Sequence, residues 1–210
     1  GKHFYMGARF NGLSLSGYRL FQYDLTTAND LSTGSYASKS LDITSTGNWL
    51  HDFCLVNAGT KLFACAKNGS IGEWTLSTAF DISTGSFVSN ESGFSGSYGI
   101  DVAFDGSKLF LSDYSTGVVT GYAMTSAFNL STRQSADSST FTFSGGARGI
   151  RFNTNGNKLL AIVGTTLKTA SLTTAWDLST ASLDSDTIDI NGQTTAGTWD
   201  AVCISAVSYT

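Results

Sequence analysis

The sequence predicts an all-β protein, a four-bladed β-propeller built from four-stranded antiparallel blades. Three observations lead there: a phrase that recurs four times, a turn motif that keeps the same step, and a composition suited to short strands. The phrase reads TTANDLSTGS from Thr26, STAFDISTGS from Ser77, TSAFNLSTRQ from Thr125 and TTAWDLSTAS from Thr173, at steps of 51, 48 and 48 residues. Self-similarity at such a period marks a protein assembled from repeated supersecondary units. The turn reads GTKLF from Gly59, GSKLF from Gly106 and GNKLL from Gly156, and Gly1 to Tyr5 matches its tail. Charged residues make up 13 % of the 210 residues, with 23 glycines and no proline. Polarity comes instead from Ser, Thr and Asn, which suits strands and tight turns better than long helices.

Each repeat reads as four strands. Strand a is an apolar run, for example Asp52 to Val56, and an Asn-Ala-Gly turn joins it to strand b, Lys61 to Ala66. Glycine supplies the positive φ that such hairpins need. Strand c spans Glu73 to Leu76, where Trp74 and Leu76 alternate as in a half-buried strand. Strand d follows the DIST phrase, from Ser86 to Asn90. Four short strands at this spacing are the mark of a propeller blade.

The first repeat supplies strands b, c (Arg19 to Leu25) and d (Ser35 to Ser40), whereas Trp199 to Ile204 reads as a lone strand a. Pairing that C-terminal strand with the N-terminal blade closes the ring and removes exposed sheet edges. The expected blades are 1–46 plus 198–210, 47–95, 96–145 and 146–197, forming one domain, monomeric in isolation. The alternatives are a longer array, or copies that join into a bigger ring.

The apolar strand, the DGSKLF-type turn and the phrase T-x-A-[FW]-[DN]-L-S-T resemble propeller-like repeats of phage tail-associated proteins and large bacterial surface proteins. The resemblance runs through Leu109, Phe128 and Trp176 and implies an adhesive or structural role on a cell or virion surface. It carries no residue-level site. WD40 and kelch repeats match poorly, since Trp199-Asp200 opens a strand and the kelch double glycine occurs at Gly145-Gly146 alone.

In a propeller the d–a and b–c connections share the face around the channel mouth. A glycine followed two positions later by a large residue precedes each strand a. This places Trp49, Tyr98, Arg148 and Trp199 in a quasi-fourfold ring. Three aromatics and a guanidinium suit stacking against sugar rings or gripping an anion. Arg9 and Phe10, in a long first-blade segment from Gly7 to Gly17, and Tyr114 in a b–c connection, join the candidate ligand site. The leading expectation is a non-enzymatic, extracellular module that binds a glycan or another surface molecule, without cofactor. The alternatives are a structural spacer and a propeller hydrolase or lactonase.

A net charge of −4 argues against a phosphate backbone as partner, and no apolar stretch is long enough to span a bilayer. Cys54, Cys65 and Cys203 lack the spacing of a zinc site. His51 and Asp52 are neighbours in a strand and point apart, so they form no direct relay. No nucleophile elbow occurs, which leaves Asp101, Asp200, Arg151 and His51 as the hydrolase candidates. The aspartates of the repeated phrase (Asp30, Asp81, Asp177) are expected to bond turn backbone rather than calcium.

Overall fold

The computed structural model describes residues 1–12, 15–47, 49–94 and 96–190, and the chain folds as a four-bladed β-propeller. Blade 1 contains β1 (His3–Gly12), β2 (Leu15–Leu25) and β3 (Gly34–Asp42). Blade 2 contains β4 (Leu50–Val56), β5 (Lys61–Ala66), β6 (Ile71–Leu76) and β7 (Gly85–Glu91). Blade 3 runs through β8 (Ser97–Val102), β9 (Lys108–Asp113), β10 (Val118–Met124) and β11 (Arg133–Thr142). Blade 4 runs through β12 (Ala147–Phe152), β13 (Lys158–Val163), β14 (Thr166–Leu172) and β15 (Ala181–Asp189). Each sheet is an antiparallel meander in sequence order. The strand expected to close the ring, Trp199 to Ile204, lies outside the described residues.

The repeated phrase builds the corner before the last strand of each blade. Asp30, Asp81, Asn129 and Asp177 cap a single 3-10 turn, their side-chain oxygen accepting the backbone N–H of the serine two residues on. The same oxygen accepts that serine's hydroxyl, as for Asp81 with Ser83 at 2.6 Å. This turn chemistry is the one anticipated for these residues. Phe80, Phe128 and Trp176 just before the cap hold left-handed backbone at φ 62°, 55° and 63°. Their amides donate to the carbonyls of Gly59, Gly106 and Gly156, so each ring lies flat on the glycine of its own a–b turn. A Cβ on Gly106 would come within 2.5 Å of the Phe128 ring, which explains why that turn uses glycine. Asn29 takes the same left-handed place in blade 1, where its amide donates to the carbonyl of Gly1.

The cores lie between blades. Tyr5, Leu20 and Ile43 of blade 1 pack on Leu62, Ala64, Trp74 and Ile82 of blade 2. Phe63, Cys65, Ile71 and Phe94 meet Leu109, Leu111 and Leu130 of blade 3. Phe110, Val119 and Phe143 meet Leu159, Ala161, Leu172 and Leu178 of blade 4. Side-chain acceptors cross two of these seams: the Ile82 amide donates to Gln22 Oε1 at 3.2 Å, and the Leu130 amide to Glu73 Oε2 at 2.8 Å.

One expectation is corrected by the backbone. The segment Gly7 to Gly17 is no loop insertion: β1 and β2 stay paired out to Gly12 and Leu15, forming a lengthened hairpin. The extra residues thus extend the β1–β2 ladder. Arg9 and Phe10 therefore lie in strand register opposite Tyr18 and Gly17, and their side chains fall outside the described part.

Candidate active site

Among the innermost strands, β8 and β12 carry Asp101 and Arg151 at matching positions, and β4 carries Asp52 two residues before the matching Cys54. Asp52 and Asp101 are buried and Arg151 is part-buried. The Arg151 guanidinium reaches across to β4 and grips Asp52 in a bidentate pair, both bonds 2.9 Å. It also donates to the carbonyls of Phe53 (2.7 Å), Ile100 (2.6 Å) and Ile150 (2.6 Å), stapling three strands at once. The Asp52 carboxylate further accepts the amides of Phe53 and Ile100. Asp101 accepts those of Val102 and Phe152 at 3.0 and 2.7 Å. Burial pushes Asp101 up to about 6 against the pull of Arg151, and pushes Asp52 up for the same reason. Burial opposes the charge of Arg151, but Asp52 and Asp101 outweigh it and hold its pKa above the ordinary value. These hydrolase candidates therefore act as a structural staple. Asp200 lies outside the described residues.

The chemistry gathers instead at the channel mouth, at the start of the innermost strands. His51 is the second residue of β4, and its Nδ1 donates to the Ser97 carbonyl at 2.9 Å. That bond fixes the tautomer and puts the basic lone pair of the neutral ring on Nε2. The imidazole stacks on Tyr98 with ring centres 3.7 Å apart and planes 17° from parallel. Tyr98 in turn contacts Tyr114 at 4.9 Å. The Arg148 guanidinium lies over Tyr114 at 4.1 Å and near Tyr98 at 5.5 Å. The Ser112 hydroxyl pins the Arg148 backbone through its carbonyl at 2.6 Å.

The b–c connections hold this cluster in place. Asp113 accepts the amides of Ser115 and Thr116 and the Ser115 hydroxyl, which shapes the turn carrying Tyr114. Burial works against its charge, but those donors outweigh it and hold Asp113 below the ordinary carboxylate value. Gly146 lets the connection into blade 4 pass against this turn, since a Cβ there would strike the Tyr114 carbonyl. A cleft of about 540 Å³ runs on from Tyr114 between Gly145 and Thr165, with Lys168 in its wall. Lys67 stands 4.5 Å over the Trp49 ring, so cationic side chains recur around this face. Among the described residues, no group of His, Cys, Asp or Glu is arranged to hold a metal ion.

Of the sequence-expected ring, Tyr98, Arg148 and Tyr114 come together, and Trp49 stands apart and half-exposed with a left-handed backbone. Trp199 lies outside the described residues. Arg148 is only 8 % exposed, and Tyr98 is covered by His51. Sequence reasoning treated His51 as a weak candidate because its neighbour Asp52 points away. The signal it missed is that a residue near the start of strand a, two positions after Trp49, belongs to the mouth.

No family model matches the chain, and no curated protein does. Solved propellers do. The periplasmic gluconolactonase of Pseudomonas aeruginosa superposes with a TM-score of 0.59 at 16% identity, over 90% of this chain and 54% of that one. Two proteins taken for 6-phosphogluconolactonases, from Bacteroides fragilis and Bacteroides uniformis, give 0.54 and 0.53 at 12% identity. Each alignment covers 82% of this chain and 49% of the other. The chain thus spans about half the length of these proteins. It is a β-propeller by fold, with His51 and Arg148 both beside Tyr98 at its channel mouth.

These similarities correct the expectation of a non-enzymatic, glycan-binding module. All three propellers are named for lactone hydrolysis, and the mouth holds an oriented imidazole and a shielded guanidinium.

Proposed function

We propose that the chain is a lactonase-type hydrolase that opens a sugar lactone at the channel mouth. The observation that carries this reading is His51, held by the Ser97 carbonyl and stacked on Tyr98 on the same face as Arg148. His51 Nε2 takes a proton from water as the water oxygen bonds to the lactone carbonyl carbon. The carbonyl electrons move onto oxygen, and the Arg148 guanidinium stabilises that oxyanion. Collapse of the intermediate breaks the ring C–O bond, and the imidazolium returns its proton to the departing alkoxide. The acid so formed loses its remaining proton to solvent, and the product carboxylate pairs with Arg148, aided by the cations around the face. The names of the similar propellers support a gluconolactone or its 6-phosphate as substrate class. A periplasmic neighbour and the surface-protein style of the repeat support a site of action outside the cytoplasm. No helix among the described residues is long and apolar enough to cross a membrane.

The test is the rate of acid release from glucono-δ-lactone and its 6-phosphate, measured against a buffer-matched uncatalysed control. Folded wild-type protein is expected to accelerate one of them. His51→Gln should lower kcat/KM by about 10²–10⁴-fold, and Arg148→Met by about 10²–10³-fold, with unchanged near-UV circular dichroism. Folded wild-type protein that speeds neither substrate would end this reading.

A further inference from the structure

Every seam between blades joins the forward face of one copy to the backward face of the next. The repeat identifies which residues belong to each face. Leu76 donates its amide to Thr60 as Leu25 does to Lys2, which aligns Phe4 with Leu62 and Tyr23 with Trp74. By the same alignment Leu31 matches Ile82, Leu130 and Leu178.

Within the described residues, one backward face and one forward face lack the burial that their counterparts have. On blade 1, Leu31 is 68% exposed, whereas Ile82 and Leu130 are at 0% and Leu178 at 3%. Phe4 is 42% exposed against 0% for Leu62. Phe4, Tyr23 and Tyr36 touch one another, at 5.9 and 5.6 Å, making one continuous aromatic surface. On blade 4, Leu160, Leu167 and Ile190 occupy the places of Phe110, Val119 and Phe143. Those three are fully buried in the seam with blade 4, but Leu160, Leu167 and Ile190 are part-exposed. An apolar face of this kind marks an interaction surface.

The three internal seams state what covers such a surface: the opposite face of another blade of this same repeat. The superposition adds a second argument. Between 82% and 90% of the chain matches 49–54% of the similar propellers, as an arc of a larger ring would. We infer that a second copy of this chain is the occupant. Blade 4 of one copy seats on blade 1 of the other, and the reciprocal contact closes the pair. Such a head-to-tail contact is heterologous, and it gives a finite assembly because its rotation closes. This goes beyond the monomer that the repeats suggest.

Sedimentation velocity and light scattering on the full chain across about 1–100 μM decide the matter. The expected mass is twice the 22.1 kDa of one chain. Leu31→Asp and Phe4→Asp change side chains that are exposed in a single copy, so each variant should fold, checked by circular dichroism. Each should raise the dimer dissociation constant at least about 100-fold, as expected for burying an unpaired charge. Leu183→Asp, on the opposite face of blade 4 and half-exposed, should leave association unchanged. A wild-type monomer throughout this range, as in a ring closed within one chain, overturns the inference. So does a dimer indifferent to both substitutions.

Discussion

Replacing Arg151 by Met tests whether the channel staple holds the blades together. The substitution removes a guanidinium that pairs twice with Asp52 and serves the carbonyls of Phe53, Ile100 and Ile150. It leaves a buried carboxylate with no cation across the channel. Removing one partner of a buried pair costs about 3–5 kcal/mol. For a chain of this length each kcal/mol lowers Tm by roughly 2–4 °C, so the expected fall is about 6–20 °C. Urea unfolding followed by tryptophan fluorescence gives the free energy, since Trp74 is fully buried and reports on the seam between blades 1 and 2. Adding Asp52→Leu removes the orphaned charge, and the double variant should recover part of the loss, because apolar replacement of a whole buried pair is often near neutral. A loss under about 1 kcal/mol for Arg151→Met, or strict additivity in the double variant, would refute the staple.

Two further outcomes follow from the geometry. Asp101 is raised from its ordinary value to about 6, so the folded state binds its proton more tightly than the unfolded chain does. Stability should therefore rise as pH falls from about 6 to 4, by on the order of 3 kcal/mol from this group. It should then fall again below about pH 4, where the unfolded chain takes up a proton at Asp184 while the folded state, holding that carboxylate at about 2 through the Ser171, Lys158 and Thr169 donors, does not. Urea midpoints from pH 7 to 3 should show that maximum in the wild type, and Asp101→Asn should remove much of the upper arm; an unchanged arm would contradict the assignment. Gly106→Ala should cost about 2–3 kcal/mol, combining left-handed strain with the Phe128 ring. Gly164→Ala, left-handed but facing open space, should cost only about 1–2 kcal/mol, so equal losses would show that the ring contributes nothing.

The repeat made the fold legible from sequence, because a phrase spaced by a blade's length can be counted without knowing what it does. The corner caps were legible for the same reason: Asp81 and Asp177 each precede a serine by two residues, and that spacing is local chemistry. The pairing of Arg151 with Asp52 was not, since the two stand 99 residues apart and meet only once the blades are set around the channel. The site was half legible. Arg148 and Tyr98 were found by position in the repeat, but whether a mouth residue lies open or shielded depends on neighbours such as Tyr114 and His51. The hairpin from Gly7 to Gly17 misled because an insertion that lengthens a ladder reads, in one dimension, like a loop.

The aromatic seated on its own turn glycine gives each blade a private lock. Phe128 and Gly106, or Trp176 and Gly156, come from within one copy, so the corner's contact is made inside the blade. The neighbours contribute apolar filling and a few polar bridges, and these differ from seam to seam. Local shape and mutual fit are thus written in separate residues. A lineage of such chains could gain or lose whole blades, or trade them between copies, without redesigning the blade itself. The number of blades in a ring then becomes a property of the seams.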